Sequence, residues 1–193
     1  RMTDTRTAGG LAVIIVSWNT RELLLDCLAS VYATDQRHAI EVIVVDNHSS
    51  DGSAAAARAR FPQARVIENR ENVGFARANN QAIRETTMPY VLLLNSDTRV
   101  EDRALLDRMV DYLEANTEAG AAGCRLVFPD GSHQVGDAGY EPILAHVANH
   151  MFFLARIWPE RFKGVFLSGG KVLERTQPLP VDWVMGAFFL VRR

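Results

Sequence analysis

The chain has 193 residues, 48% of them hydrophobic and 23% charged, with a formal net charge of −2. That composition is typical of one soluble globular domain, and it excludes a disordered tail, a collagen-like repeat and a small disulfide scaffold. There is no basic field for nucleic acid and no run of about 20 apolar residues that would span a bilayer.

The charge is uneven. Positions 1–140 hold 14 basic and 19 acidic residues, and positions 141–193 hold 7 and 4. Nineteen of the 21 basic residues are Arg, which with 24 Ala reads as coding bias. Cys27 and Cys124 form no CxxC pair and sit in apolar periodic stretches, as buried thiols of a reducing compartment do. Residues 1–10 are polar and show no signal peptide. A cytoplasmic location follows as the expectation.

Leu11–Ser17 is nearly all apolar, the pattern of a strand buried on both faces. Asn19 and Glu22 have the spacing of a capping box. Leu24, Cys27, Leu28 and Val31 then recur at the period of one helix face. Glu41–Asp46 is a second buried strand. The turn Ser49-Ser50-Asp51-Gly52-Ser53 leads into an Ala-rich helix, Ala54–Arg60. Arg65–Glu68 is a short strand, Gly74–Glu85 a helix and Tyr90–Leu94 a fourth strand. A further helix covers about 101–115. Strands alternating with helices predict an α/β fold with a mainly parallel sheet. Ligands of such sheets sit at the C-terminal strand ends, here Ser17-Trp18-Asn19, Asp46-Asn47-His48 and Asn95-Ser96-Asp97.

Past about residue 120 the pattern changes. Ala121–Phe128 reads as a strand, Pro129-Asp130-Gly131-Ser132 as a turn and Val135–Gly139 as loop. Glu141–Trp158 reads as one helix, with Leu144, Val147, Met151, Leu154 and Trp158 on one face. Val181–Val191 reads as a long strand.

Asp46 and Asp97 each end a buried strand. A carboxylate there is a turn former or faces a crevice, ready for hydroxyls or a cation. No GxGxxG, P-loop (Gly170-Lys171 lacks the spacing), GxSxG or HExxH motif is present. His146 and His150 are four apart, as metal ligands or as polar residues on a helix face; no third ligand is evident.

Four ordered segments carry a resemblance. They are Val13–Asn19 (VIIVSWN), Val44–Ser53 (VVDNHSSDGS), Glu71–Ile83 (ENVGFARANNQAI) and Leu93–Asp97 (LLNSD). Together they resemble the signatures of family 2 glycosyltransferases of GT-A fold, most of all a rhamnosyltransferase-like branch. The resemblance runs from about residue 11 to the end. It implies a single GT-A domain over 1–193, with a nucleotide-sugar-binding half at about 11–120 and an acceptor-side half at about 121–193. It also implies a nucleoside-diphosphosugar donor, dTDP-rhamnose first and a UDP-sugar second, and a polysaccharide or glycolipid acceptor.

The donor positions implied are Ser17, Trp18, Asn19, Asp46, Asn72, Gly74, Arg77, Asn95, Ser96 and Asp97. Trp18 offers a flat face to a pyrimidine, or plugs the sheet edge. Asp46 accepts from a base N–H or ribose hydroxyls. Asn72-Val73-Gly74 closes the pocket. Arg77 reaches base or phosphate, or lies on the helix surface. Of Asn79 and Asn80, mid-helix, one is expected to bond back to a loop. Asn95-Ser96-Asp97 occupies the slot of the family's DxD motif. Asp97 there holds Mg²⁺ or Mn²⁺ on the diphosphate, and Asn95 leaves the site one charge short.

Trp183, Gly186 and Ala187 resemble the family's strand beside the donor sugar and acceptor. Asp182 invites a catalytic role, but the resemblance puts the base in a later Glu-Asp segment, past Arg193. The chain is therefore expected to bind donor and to transfer sugar poorly. Glu141–Trp158 either rests on an anionic membrane at its inner face or packs on the protein. Two rivals are a non-catalytic nucleotide-sugar-binding module and a nucleotidyltransferase. Trp18-Asn19-Thr20-Arg21 stands where the latter needs a Gly-rich loop.

Overall fold

A computed structural model of the protein describes residues 9–167 and 176–193. The Gly170-Lys171 pair and most of the polar N-terminal segment lie outside them. The chain divides into two compact units. One runs to Ala122 and takes in Gly186–Arg193; the other is Gly123–Met185.

The first unit holds the sheet. Its strands are β1 (Leu11–Ser17), β2 (Ile40–Asp46), β3 (Arg65–Glu68), β4 (Tyr90–Asn95), β5 (Ala121–Gly123) and, after two short strands of the other unit, β8 (Phe188–Arg192). The spatial order is β3-β2-β1-β4-β8-β5. The first four are parallel and β8 runs antiparallel to β4. The sheet is thus mainly parallel, as the apolar runs imply. Leu11 to Ile15 and Val42 to Val45 are at most 2% exposed, and each Leu, Val or Ile among them contributes about 1.5–3 kcal/mol.

Four helices join these strands: α1 (Arg21–Tyr32), α2 (Ser53–Arg60), α3 (Phe75–Glu85) and α4 (Leu105–Ala115). Ala78 and Ala82 of α3 are buried with Ala12, Ile14, Ile43 and Val45. Small residues on the helix let it lie close to the branched side chains of the sheet. Asn79 is buried and turns its amide N–H onto the Phe75 carbonyl of its own helix, 3.0 Å away, not onto a loop as expected.

The expected capping box of α1 does not form. Thr20 occupies the N-cap position without a side-chain cap, and Asn19 takes a left-handed φ of 55°. The Arg21 N–H is instead met by the Asp51 carboxylate at 2.9 Å, thirty residues away. Asp51 also accepts from the Ser53 N–H and hydroxyl. Burial works against its ionisation, yet these hydrogen bonds outweigh it and hold Asp51 below the usual carboxylate range.

The second unit contains β6 (Ala138–Gly139) and β7 (Trp183–Val184), paired antiparallel, with α5 (Leu144–Met151) and α6 (Leu154–Ile157). Four expectations are corrected here. The strand expected over Ala121–Phe128 ends at Gly123, with only an isolated Val127–His133 bridge beyond. The loop expected over Val135–Gly139 ends in strand β6. The helix expected over Glu141–Trp158 breaks at Phe152-Phe153, where Phe153 adopts φ 58°. The long C-terminal strand is likewise interrupted, between Val184 and Phe188. No helix among the described residues is long and apolar enough to cross a membrane.

Gly139 is a close-approach position. A Cβ there would lie 1.8 Å from the Val165 carbonyl oxygen and 2.6 Å from the Trp183 ring. Gly139→Ala is expected to destabilise this unit by about 3 kcal/mol. Limited proteolysis should show earlier cleavage within 123–185; an unchanged pattern would contradict it.

Candidate functional site

The register aligns the C-terminal ends of three strands. Ser17 pairs with Asp46, and Val16 with Asn95. From β1 the chain turns one way to β2 and β3, and later returns to the other side as β4. β1 and β4 therefore flank the point where strand order reverses, where open α/β sheets open a crevice.

Hydroxyls tie these tips together. Thr20 Oγ1 lies 3.0 Å from the buried Ser17 Oγ and 2.9 Å from the buried Ser96 Oγ, bridging β1 to β4. Asn19 bridges β1 to the turn after β2. Its N–H donates to Ser49 Oγ at 2.9 Å, and its Oδ1 accepts the Ser50 N–H at 2.8 Å. The adjoining Trp18 is 57% exposed, so the indole stands open at the tip and does not plug the sheet edge.

Asp46 is 3% exposed. Its Oδ2 accepts the Ser49 N–H at 2.9 Å, while Oδ1 is buried with no hydrogen-bond partner. Such an oxygen costs about 1–3 kcal/mol and calls for an explanation.

Asn47, placed at a strand end by the sequence but given no role of its own there, is the hub of the next loop. It is 2% exposed. Its amide donates to Asn72 Oδ1 at 2.9 Å, and its Oδ1 accepts from the Asn69 amide and the Val73 N–H. Asn72 Oδ1 in turn accepts the Gly74 N–H at 2.9 Å. Gly74 starts α3 at φ 81° with open space where a Cβ would stand, so backbone conformation and not crowding demands glycine. Arg77 is exposed in the first turn of that helix. The signal available for Asn47 was its place after a strand-ending Asp; its loop partners lie 22 to 26 residues away.

At the end of β4, the Asn95 N–H donates to the Ala187 carbonyl at 3.0 Å, which brings Gly186-Ala187 to this tip. Gly186 is exposed with open space around it. The Asn95 carbonyl receives the Cys27 thiol at 3.6 Å. Asp97 is exposed and engaged by no hydrogen bond or ion pair among the described residues. Asp97 follows Asn95 and Ser96 directly in the chain, and its exposed carboxylate offers the hard oxygen that suits Mg²⁺ or Mn²⁺.

Burial, with the negative charge of Asp97 added, pushes the Cys27 thiol up to about 12. The thiol should therefore resist alkylation at pH 8 until the protein unfolds. A raised folded value stabilises fully below the ordinary thiol value of 9.0, and that contribution declines as pH rises from there toward 12. Alkylation of native Cys27 as fast as a free thiol would contradict this.

Asp182 and Trp183 belong to the second unit. The Asp182 carboxylate accepts the Glu141 N–H at 2.8 Å, and the Trp183 indole donates to the Tyr140 carbonyl. His146 and His150 each meet another partner. The first bonds the Glu141 carbonyl, and the second meets the Phe166 ring edge-on. The one grouping of ligand type among the described residues is His38, Asp111 and Glu114. It lies before the start of β2, at the opposite end of the sheet, and Asp111 is already occupied by Arg37 and His38.

Residues 12–169 match the sequence profile of Glycosyl transferase family 2. The chain belongs to this family. Its GT-A fold is shared with a mannosyltransferase from Pyrobaculum calidifontis, solved with GDP-Man and Mn²⁺ (30% identical, TM-score 0.57, over 66% of this chain and 37% of that one). It is also shared with Staphylococcus aureus TarS, solved with UDP-GlcNAc (19% identical, TM-score 0.52, over 58% and 33%). Among curated relatives, an N-acetylglucosaminyl-diphospho-decaprenol L-rhamnosyltransferase of Mycobacterium tuberculosis is 28% identical over 95% of this chain. The chain spans 61% of that protein's length. The O-antigen biosynthesis protein RfbC of Myxococcus xanthus is 29% identical over 72% of this chain and 11% of that protein. The family 2 profile covers the three aligned strand tips.

Proposed function

We propose that the strand tips bind a pyrimidine nucleoside-diphosphosugar, dTDP-rhamnose first and a UDP-sugar second. The protein then moves the sugar with inversion to a saccharide or lipid-linked acceptor. It works in the cytoplasm, in peripheral contact with the inner membrane face. On this reading 1–193 is a single GT-A domain, with a donor half to about 120 and an acceptor side after it. The observation that carries the proposal is the orphaned Asp46 oxygen, set one strand from the free Asp97 carboxylate across β1.

Each residue has a task. A base N–H or ribose hydroxyl relieves Asp46 Oδ1. Trp18 stacks on the pyrimidine. Asn72 and Gly74 close the pocket, and Arg77 faces base or phosphate. Ser17 and Ser96 fix the geometry between the tips through Thr20. Asp97 would hold Mg²⁺ or Mn²⁺, which when bound offsets the charge gained by the departing diphosphate, and Asn95 would bond to ribose or to a metal-bound water. Gly186 and Ala187 leave room for the sugar, with Trp183 on the acceptor side. The acceptor hydroxyl needs a base within about 2.6–3.2 Å; we assign none, since Asp182 is held by Glu141.

Product analysis tests the reading. Incubation with dTDP-rhamnose or UDP-GlcNAc, Mn²⁺ and a lipid-linked saccharide should release nucleoside diphosphate, but slowly, because these 193 residues supply no assigned base. Pyrophosphate would indicate a nucleotidyltransferase. Nucleotide binding with neither product would indicate a binding module.

A further inference from the structure

Among the described residues fourteen large apolar side chains are exposed, and seven of them fall between Ile143 and Trp158. Such a concentration marks an interaction surface. It is not the continuous helical face that periodicity suggests, because Val147 and Leu154 are half-buried. The most exposed members are Leu144 (86%), Phe152 (72%), Met151 and Phe153.

The corner between α5 and α6 makes this surface. Phe153 sits at φ 58°, a conformation bulky side chains rarely adopt. Its carbonyl starts α6 by accepting the Arg156 and Ile157 N–H groups. At this break Phe152 and Phe153 are both exposed, where an all-helical segment would turn neighbouring side chains apart by one helical step. Backbone strain spent on presenting two phenylalanines to water points to a partner that removes them from it.

The charge around the corner selects the partner. Between 142 and 167 the basic residues are Arg156, Arg161 and Lys163, all exposed, and the one acidic residue is Glu160. Trp158 is 55% exposed among them. Aromatic wedges beside an indole and long cationic stems match the boundary between lipid head groups and acyl chains. We propose that the Phe152-Phe153 corner inserts into an anionic lipid bilayer, with Arg156, Arg161 and Lys163 on the head groups. This rests on the reading above that the acceptor is lipid-linked.

Co-sedimentation tests it, using phosphatidylglycerol-containing and pure phosphatidylcholine vesicles at low salt. The protein should bind the anionic vesicles at least about tenfold more strongly, and added salt should release it. Phe152→Glu/Phe153→Glu and Arg156→Glu/Arg161→Glu should each weaken that binding about tenfold or more. Phe152→Leu/Phe153→Leu should retain it. Each variant should keep the nucleotide-induced thermal shift of the parent, which shows a folded protein. Three results would overturn the proposal: no binding to anionic vesicles by a protein that keeps its nucleotide shift, binding indifferent to the glutamates, or a lipid-free dimer that the glutamates split. Vesicle binding without a nucleotide shift would remove the donor assignment alone.

Discussion

Asp97→Ala is expected to remove the metal-dependent part of nucleotide stabilisation while leaving the free protein as stable as before. The side chain is exposed and makes no hydrogen bond among the described residues. Its loss should therefore change unfolding free energy by less than about 0.5 kcal/mol. Its value lies in the bound state. A ligand at 100 times its dissociation constant stabilises by about 2.7 kcal/mol. With Mn²⁺ present, the parent should gain that shift and Asp97→Ala should show only what metal-free nucleotide gives. Asn95→Asp supplies the carboxylate missing from the first position of the motif and should enlarge the metal-dependent shift. A full metal-dependent shift in Asp97→Ala would place the cation elsewhere.

Asn47→Ala is expected to cost about 2–3 kcal/mol of stability and to weaken nucleotide binding as well. The buried amide joins β2 to the 69–74 loop through Asn72, Asn69 and Val73. Truncation leaves those partners unpaired inside the protein, the expensive way to lose hydrogen bonds. It also frees Asn72, which holds the Gly74 N–H and so the entry to α3. Asn47→Asp keeps the acceptor for Asn69 and Val73 but sets an oxygen against Asn72 Oδ1. It should fall between parent and Asn47→Ala in denaturant midpoint. An Asn47→Ala protein of parental stability and affinity would show that the loop is held by other contacts.

The sheet was legible in sequence because a doubly buried strand must be apolar at every position, and Leu11–Val16 and Val42–Val45 are. The strand-tip rule then led to Asp46 and Asp97 without any knowledge of strand order. What stayed hidden depended on distant partners. The cap of α1 comes from Asp51, across thirty residues, so the local Asn19–Glu22 spacing misled. The Asn47 hub is invisible in a single sequence because an Asn after a strand is an ordinary turn former. In the second unit, apolar periodicity continued through Glu141–Trp158 although the backbone reverses at Phe153. Periodicity reports which side chains share a face and is blind to a single left-handed residue. Gly186 ended the C-terminal strand early for a similar reason: apolar residues on both sides masked a two-residue turn.

On the proposed function, the aligned tips of β1, β2 and β4 form a metal-assisted site for a pyrimidine nucleoside diphosphate. A calorimetric titration of dTDP, UDP and GDP, each with and without Mn²⁺, tests it most directly. GDP belongs in the set because the mannosyltransferase with the same fold holds GDP-Man. The protein should bind dTDP or UDP more tightly than GDP, Mn²⁺ should tighten that binding further, and Asp46→Ala should abolish it. Tighter binding of GDP, or pyrimidine binding that survives Asp46→Ala unchanged, would contradict it.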